Sequence, residues 1–128
     1  MGNYFGYMLW YLSQLLSILN AMLTLQNKLA LLGVFLKRDE VLIKTKDGLI
    51  FSVRDLYDLL SIDEIFEKQP YSKLFENIPP MAILFDIGSY NGDSVIYASK
   101  IKSVKRIIAV EPHSDNVRVL RENLNHNK

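Results

Sequence analysis

The feature that most constrains the fold is an alternation of short apolar runs and helical stretches in the last third of the chain. A continuous apolar run occupies residues 81–85, a second run over 106–110 is apolar after Arg106, and apolar residues at helical spacing follow over 94–102 and about 114–125. The runs predict strands that are buried on both faces. The order strand, loop, helix, strand, helix predicts an α/β fold in which two parallel strands are joined by a right-handed crossover.

The loop after the first predicted strand combines glycines with an acid. It reads Asp86-Ile-Gly88-Ser-Tyr-Asn-Gly92, and Glu111 follows the second strand, 19 residues after Gly92. Glycines let a ligand approach the backbone closely, and an acid after the second strand suits ribose hydroxyls. The dinucleotide pattern G-x-G-x-x-G and the P-loop pattern are both absent. A carboxylate at the loop disfavours a pyrophosphate and favours sulfonium and ammonium groups, which predicts S-adenosylmethionine as the ligand.

Each of these residues also has a purely structural interpretation. Asp86 is compatible with a cap on the following turn, the two loop glycines with ordinary turn residues, and Glu111 with an exposed strand end. For Asp93 we favour a structural role, as the N-cap of the next helix. The histidines His113 and His126 are too isolated to indicate a metal site, so no metal is expected.

Three segments of the sequence resemble FkbM-type methyltransferases, a branch of the class I S-adenosylmethionine-dependent enzymes. They are FDIGSYNGDS at residues 85–94, AVEPH at 109–113 and LRENLNHN at 120–127. The resemblance implies a Rossmann-like sheet and methyl transfer to an oxygen of a small-molecule or glycan acceptor. Enzymes of this family have about seven strands, whereas the pattern here supplies two. The expectation is therefore an N-terminal portion of such an enzyme, with a complementary C-terminal fragment as a partner.

The resemblance also implies roles for individual residues. Asp86, Gly88, Ser89 and Gly92 would line the methionine and ribose portion of S-adenosylmethionine, and Glu111 would bind the ribose hydroxyls. No catalytic residue can be named, because the strands that would carry the acceptor site lie outside the matching segments. The alternative from another functional class is a non-catalytic remnant or a membrane-associated interaction protein.

The region before the main unit predicts a small cap. Runs at residues 41–45 and 49–53 flank Asp47-Gly48, a strong signal for a hairpin turn. Residues 55–66 have helical spacing, and Pro70 is expected to close that helix. We expect residues 39–80 to cover an edge or face of the sheet of a domain spanning 81–128, and favour this over a lid that contacts substrate.

The N-terminal segment, residues 1–38, differs in character. Residues 1–36 contain a single charged side chain, Lys28, and uncharged polar residues recur at 13, 17, 20, 24 and 27. This spacing predicts a helix with a narrow polar stripe. Three interpretations stay open for residues 4–36: a membrane-spanning helix over residues 4–25, a helix on the membrane surface, and an arm packed against the following domain or a partner chain. No signal-peptide pattern is evident, so the segment is expected to be retained.

Composition restricts the functional class further. The net charge of +1 gives no reason to expect a nucleic-acid partner. The absence of cysteine removes disulfides, thiolate nucleophiles and cysteine-based zinc sites. Together with the methyltransferase resemblance, this composition leads us to expect a cytoplasmic protein, with or without membrane association.

Overall fold

A computed structural model describes residues 3–26, 29–36 and 40–128 of the chain. The chain is a mixed α/β protein with one antiparallel and one parallel pair of strands. In chain order the elements are α1 (Asn3–Thr24), α2 (Ala30–Phe35), β1 (Val41–Lys44), β2 (Ile50–Val53), α3 (Leu56–Asp63), a π-helical segment (Glu64–Lys68), α4 (Ser72–Glu76), β3 (Ala82–Ile87), α5 (Asp93–Ser99), β4 (Val104–Val110) and α6 (Ser114–His126).

The predicted hairpin is confirmed. β1 and β2 pair antiparallel, with Val41 opposite Val53 and Lys44 opposite Ile50. The turn between them is closed by the hydrogen bond from the Gly48 N–H to the Thr45 carbonyl, 3.0 Å long. Gly48 has a φ of 86°, a conformation that glycine adopts without steric cost.

The helix predicted over residues 55–66 is confirmed, although it is longer and less regular than expected. Asp55 caps α3 because its carboxylate accepts hydrogen bonds from the N–H groups of Tyr57 and Asp58. The helix widens into the π-helical segment and ends at Gln69, whose φ is 46°, directly before Pro70. The short helix α4 that follows was not predicted, since its five residues are too few to show a helical period.

The predicted order of strands and helices after residue 80 is confirmed. β3 and β4 pair in parallel, with Leu84 opposite Ile107 and Ile87 opposite Val110, and α5 connects them. Helix α6 then follows β4 and packs against β2 of the hairpin. The β-loop-α-β-α unit is thus joined directly to the hairpin.

The prediction that both strands are buried on both faces is wrong: every residue of β3 and β4 is at least partly exposed, Val110 of β4 by 47%, and β3 shows this most clearly. Burial alternates along the strand, and Ile83, Phe85 and Ile87 are 54%, 67% and 81% exposed. A run of apolar residues reports that a strand can be covered on both sides, but other elements decide which sides are covered. Within the described ranges, one face of β3 has no covering layer.

The largest group of buried side chains joins the hairpin to the helices on either side of it. Ile43, Phe51 and Val53 of the hairpin are fully buried, and Leu59 of α3 and Ile96 of α5 complete the centre. The cap and the β3–α5–β4 unit therefore share one core, and the cap fixes the position of the loop that precedes α5.

The N-terminal residues form the predicted helix, α1, which contacts α3. Of the predicted polar stripe, only the Ser13 side chain falls among those described, and it is exposed; the side chains at 17, 20, 24 and 27 lie outside them. In the parts of the chain that the structure describes, no helix has both the length and the apolar character needed to cross a bilayer.

Candidate functional site

The glycine loop between β3 and α5 has an unusual backbone. Gly88, Tyr90 and Gly92 have φ values of 82°, 45° and 84°, all in the left-handed region. Two consecutive amides, those of Gly88 and Ser89, donate to the carbonyl of Val110 at 2.8 and 3.2 Å. The start of the loop is therefore fastened to the end of the neighbouring strand. Tyr90 is the one non-glycine residue of the three, which implies that contacts of its side chain hold it there.

A crevice of about 270 Å³ opens between this loop and the cap. Asp86, Gly88 and Tyr90 line it on the loop side, and Ser61 and Glu64 line it on the cap side. The other lining residues are Ile65, Pro70, Tyr71, Ile87, Asp93 and Ser94. None of these described lining residues is a lysine or arginine, whereas three are acids, so the crevice is suited to a positively charged ligand group.

Two of these acids are oriented by hydroxyl groups. The Asp86 carboxylate accepts a hydrogen bond from the Ser94 hydroxyl at 2.7 Å. The Asp93 carboxylate accepts from the Ser61 hydroxyl and from the Ser94 N–H, both at 2.5 Å. Burial raises the pKa of Asp93, and these hydrogen bonds lower it only in part. The prediction that Asp93 is the N-cap of α5 is wrong, because Gly92 occupies that position. The Asp93 carboxylate instead binds Ser61, in the region of residues 39–80 that packs beside the loop.

Glu111 lies at the end of β4, and both of its oxygens are held. Its Oε2 accepts from the Tyr90 N–H at 3.0 Å, and its Oε1 accepts from the His113 N–H at 3.0 Å and the Asn116 side-chain amide at 3.2 Å. The bond from His113 is the largest cause that lowers the pKa of Glu111, and those from Asn116 and Tyr90 act in the same direction. Glu111 is not among the residues that line the crevice. Tyr90 connects Glu111 to the crevice, because Tyr90 lines the crevice and its N–H binds Glu111.

The remaining two candidate residues, Ser89 and Gly92, are not among the residues that line the crevice. The Ser89 side chain is buried, and its hydroxyl donates to the Asp86 carbonyl at 2.7 Å. Gly92 faces α6: a Cβ at this position would lie 2.9 Å from the Leu120 Cγ. Gly88 has open space where its Cβ would be. Of the two glycines, Gly88 therefore has open space beside its backbone, and Gly92 is the one that lets a helix approach.

Sequence reasoning missed a group of residues in the cap that contact the loop. The Arg54 guanidinium hydrogen-bonds to Asp58 through Nε and Nη2, each at 2.8 Å, and to the Asn116 Oδ1 at 2.9 Å. It also lies 5.3 Å from the centre of the Tyr90 ring. The only signal in the sequence is the four-residue spacing of Arg54 and Asp58, which is common on helix surfaces and does not indicate a site.

A second missed feature is a pair of buried asparagines. The Asn123 side chain on α6 accepts from the Ser52 N–H at 2.6 Å and donates to the Asn91 carbonyl at 2.9 Å. Asn91 in turn accepts from the Asp93 N–H through its side-chain oxygen at 3.1 Å. The hairpin, the glycine loop and α6 are therefore joined by hydrogen bonds in the interior.

Among the described residues, no group of three or more histidine, aspartate or glutamate side chains is arranged to hold a metal ion. Comparison of the chain with protein-family models, with curated proteins and with solved structures found no match. Function is therefore inferred from the chemistry of the residues themselves.

Proposed function

We propose that the chain is the cofactor-binding part of an S-adenosylmethionine-dependent methyltransferase with a Rossmann-like fold of the FkbM type. The observation that carries the proposal is the acid-lined crevice beside Gly88, with a further carboxylate, Glu111, at the end of the adjacent strand. In parallel sheets, ligands bind at the carboxyl ends of the strands, which is where both features lie.

The charges of the crevice match the cofactor. S-adenosylmethionine carries a sulfonium and an ammonium group and no phosphate, and Asp86 presents a carboxylate beside the open backbone of Gly88. The opposite wall adds Glu64 from the cap. Opposite charges at a few ångströms attract strongly where water is partly excluded, so this crevice favours a cationic ligand over a dinucleotide.

Glu111 suits the ribose. A carboxylate has about four positions that accept hydrogen bonds, and three are filled, by Tyr90, His113 and Asn116. The open position is on Oε2, so one hydroxyl can bind without displacing a protein group. A second hydroxyl would share Oε1 with the Asn116 amide, which makes the longest of the three hydrogen bonds.

The reaction inferred is methyl transfer to an oxygen of a small-molecule or glycan acceptor. S-adenosylmethionine, when bound, supplies an electrophilic methyl group on its sulfonium. The chain's own contribution is to hold that group in one orientation, since catalysis of this kind depends on in-line positioning. No described residue is assigned as the base that takes the acceptor's proton.

The exposed face of β3 and the unpaired edges of the parallel pair favour a larger sheet that is covered on that face. Ile83, Phe85 and Ile87 expose apolar surface in a row, and the described parallel sheet has two strands, each with an unpaired edge. Such a pair is marginal alone, because it leaves apolar surface and backbone groups in water. A complementary polypeptide with further parallel strands and helices is the partner that this surface fits.

Binding can be tested by calorimetry with S-adenosylmethionine. Glu111→Ala should weaken binding at least tenfold, whereas Glu122→Ala, which removes an exposed carboxylate from α6, should leave it unchanged. Asp86→Asn should weaken binding of S-adenosylmethionine more than that of S-adenosylhomocysteine, because only the former carries the sulfonium charge. Loss of the two affinities by the same factor would refute the charge-matching role of Asp86, and failure of the unmodified chain to bind either compound would refute the proposal.

A second candidate function rests on α1. Tyr7, Tyr11, Leu15, Leu16 and Leu23 are each more than half exposed, and α1 contains no charged residue. An exposed apolar surface of this extent is typical of an interaction site. An interaction protein that lays α1 on a membrane surface would sediment with phosphatidylcholine vesicles, and Leu16→Glu would reduce that binding. An unmodified chain that remains in the supernatant would exclude this function.

A further inference from the structure

Arg54 is the point where the cap meets the candidate ribose site. It directly follows β2, and its side chain is only 21% exposed. Two of its nitrogens bind the fully buried Asp58 carboxylate, which also accepts from the Arg54 N–H at 2.8 Å. The hydrogen bonds to Asp58 hold the guanidinium in one orientation, and its third nitrogen is left to bind Asn116.

Two routes lead from Arg54 to Glu111. In the first, Arg54 Nη1 binds the Asn116 Oδ1 at 2.9 Å, and the amide nitrogen of the same side chain donates to the Glu111 Oε1 at 3.2 Å. This arrangement also fixes which end of the Asn116 amide faces Glu111, because the guanidinium can only donate. Each oxygen of Glu111 is reached by one route, and this first route ends on Oε1.

The second route passes through Tyr90 and ends on Oε2. The guanidinium lies 5.3 Å from the centre of the Tyr90 ring, a distance at which a cation attracts the face of the ring. Burial, followed by the nearby Asp58 carboxylate, raises the pKa of Tyr90, so the phenol stays protonated. With its side chain held in this way, Tyr90 keeps its left-handed φ of 45° and directs its N–H to the Glu111 Oε2 at 3.0 Å.

We propose that Arg54 is a positioning residue for Glu111, which it orients through Asn116 and Tyr90 so that the carboxylate meets the ribose hydroxyls of an adenosyl ligand. The inference rests on the proposed function, in which Glu111 is the ribose acceptor. A glutamate at the surface otherwise samples many rotamers, and fixing them before binding improves affinity. Removing an outer contact of this kind should cost about tenfold in affinity, the lower end of what such contacts contribute at metal sites.

The test compares S-adenosylmethionine with its 2′,3′-dideoxy analogue, which lacks both hydroxyls. The measured quantity is the ratio of the two dissociation constants. In the unmodified chain the hydroxyls should favour S-adenosylmethionine, and Glu111→Gln should remove most of that preference. Arg54→Met should reduce the preference about tenfold while binding of the dideoxy analogue stays unchanged. A merely structural role would instead weaken both ligands equally.

Arg118→Met is the matched control. It removes the same charge from α6, where Arg118 pairs with Glu40 and Glu122 rather than with the site, and it should leave the ratio unchanged. Asn116→Ala is the second variant, in case Arg54→Met does not fold: it breaks only the first route and should reduce the ratio by a smaller factor.

The outcomes separate the two proposals. If the unmodified chain binds both ligands equally, or if Glu111→Gln keeps the preference, the assignment of Glu111 to the ribose is overturned. If Glu111→Gln removes the preference but both Arg54→Met and Asn116→Ala retain it fully, the positioning role of Arg54 alone is overturned.

Discussion

Replacing Gly92 with alanine tests how closely the glycine loop packs against α6. The residue has a φ of 84°, and an added Cβ would lie 2.9 Å from the Leu120 Cγ and 3.5 Å from its Cα and Cβ. Leu120 is buried, so its side chain has little room to withdraw. The substitution therefore introduces two costs together: an unfavourable backbone conformation and an atom where there is no space.

The size of each cost follows from the geometry. An L-residue in the left-handed region costs about 1–2 kcal/mol. Forcing an extra methyl group into a packed interior costs about 1–3 kcal/mol more. Gly48 isolates the backbone cost from the packing cost, because its φ is also in the left-handed region, at 86°, but no atom lies within 4 Å of where its Cβ would be. Gly48→Ala should therefore lose about 1–2 kcal/mol, and Gly92→Ala about 2–5 kcal/mol.

The assay is urea denaturation of both variants and the unmodified chain, followed by circular dichroism at one pH and temperature. Both substitutions change the unfolded chain in the same way, so the difference between them reports the contact with Leu120. Equal free energies of unfolding for the two variants would show that the loop and α6 are not in the close contact described, and the assignment of Gly92 to helix packing would fail.

Three further predictions follow from buried or open positions. Asn123→Ala leaves two interior backbone groups without partners and should lower the free energy of unfolding by about 2–4 kcal/mol. Asn125→Ala, at an exposed position, should change the free energy of unfolding by less than about 0.5 kcal/mol. Similar losses for the two variants would contradict the buried network. Because burial raises the pKa of Asp93, ionisation of this carboxyl opposes folding. The stability of the chain relative to Asp93→Asn should therefore fall as pH rises from about 4, the ordinary aspartate pKa, to 7. Urea unfolding at both pH values checks this, and a difference in free energy of unfolding that stays constant would count against it. Gly88→Ala should lower the affinity for S-adenosylmethionine at least tenfold, as measured by calorimetry. It should lose no more stability than Gly48→Ala, since both positions have open space. Unchanged affinity would place the ligand elsewhere.

Local sequence patterns predicted the helices and strands well, but they did not predict which faces of those elements are covered by the rest of the chain. The hairpin, the two parallel strands and the helices after them follow from turn chemistry and apolar spacing, which depend on near neighbours in sequence. The exposure of Ile83, Phe85 and Ile87 did not follow, because an apolar run of this kind has the same sequence whether one face or both are covered. The π-helical segment and α4 were missed because each is only five residues long.

The same limit applies to the candidate site. Asp86 and Gly88 were predicted from the loop pattern and line the crevice, but the pattern treats Gly92 as equivalent to Gly88. The two glycines have nearly the same φ and differ only in what lies beside them, which depends on how α6 packs. Arg54 and Asn116 gave no signal, because their meeting depends on the docking of the hairpin against a helix that is 62 residues away in sequence.

The segment at residues 120–127, which contributed to the family resemblance, has a structural explanation that ties the cap to the site. Asn127 accepts from the Ile50 N–H at 3.0 Å and donates to the Ile50 carbonyl at 2.7 Å, as a neighbouring strand would. Asn123 binds the Ser52 N–H in the same way and also holds the glycine loop. The side chains of Asn123 on α6 and of Asn127, directly after it, thus satisfy the outer edge of β2, which would otherwise be open to aggregation. Because that hydrogen-bond network also reaches the loop, a ligand that orders the loop should stabilise the hairpin as well. The cap is therefore better understood as a support for the glycine loop than as a separate lid.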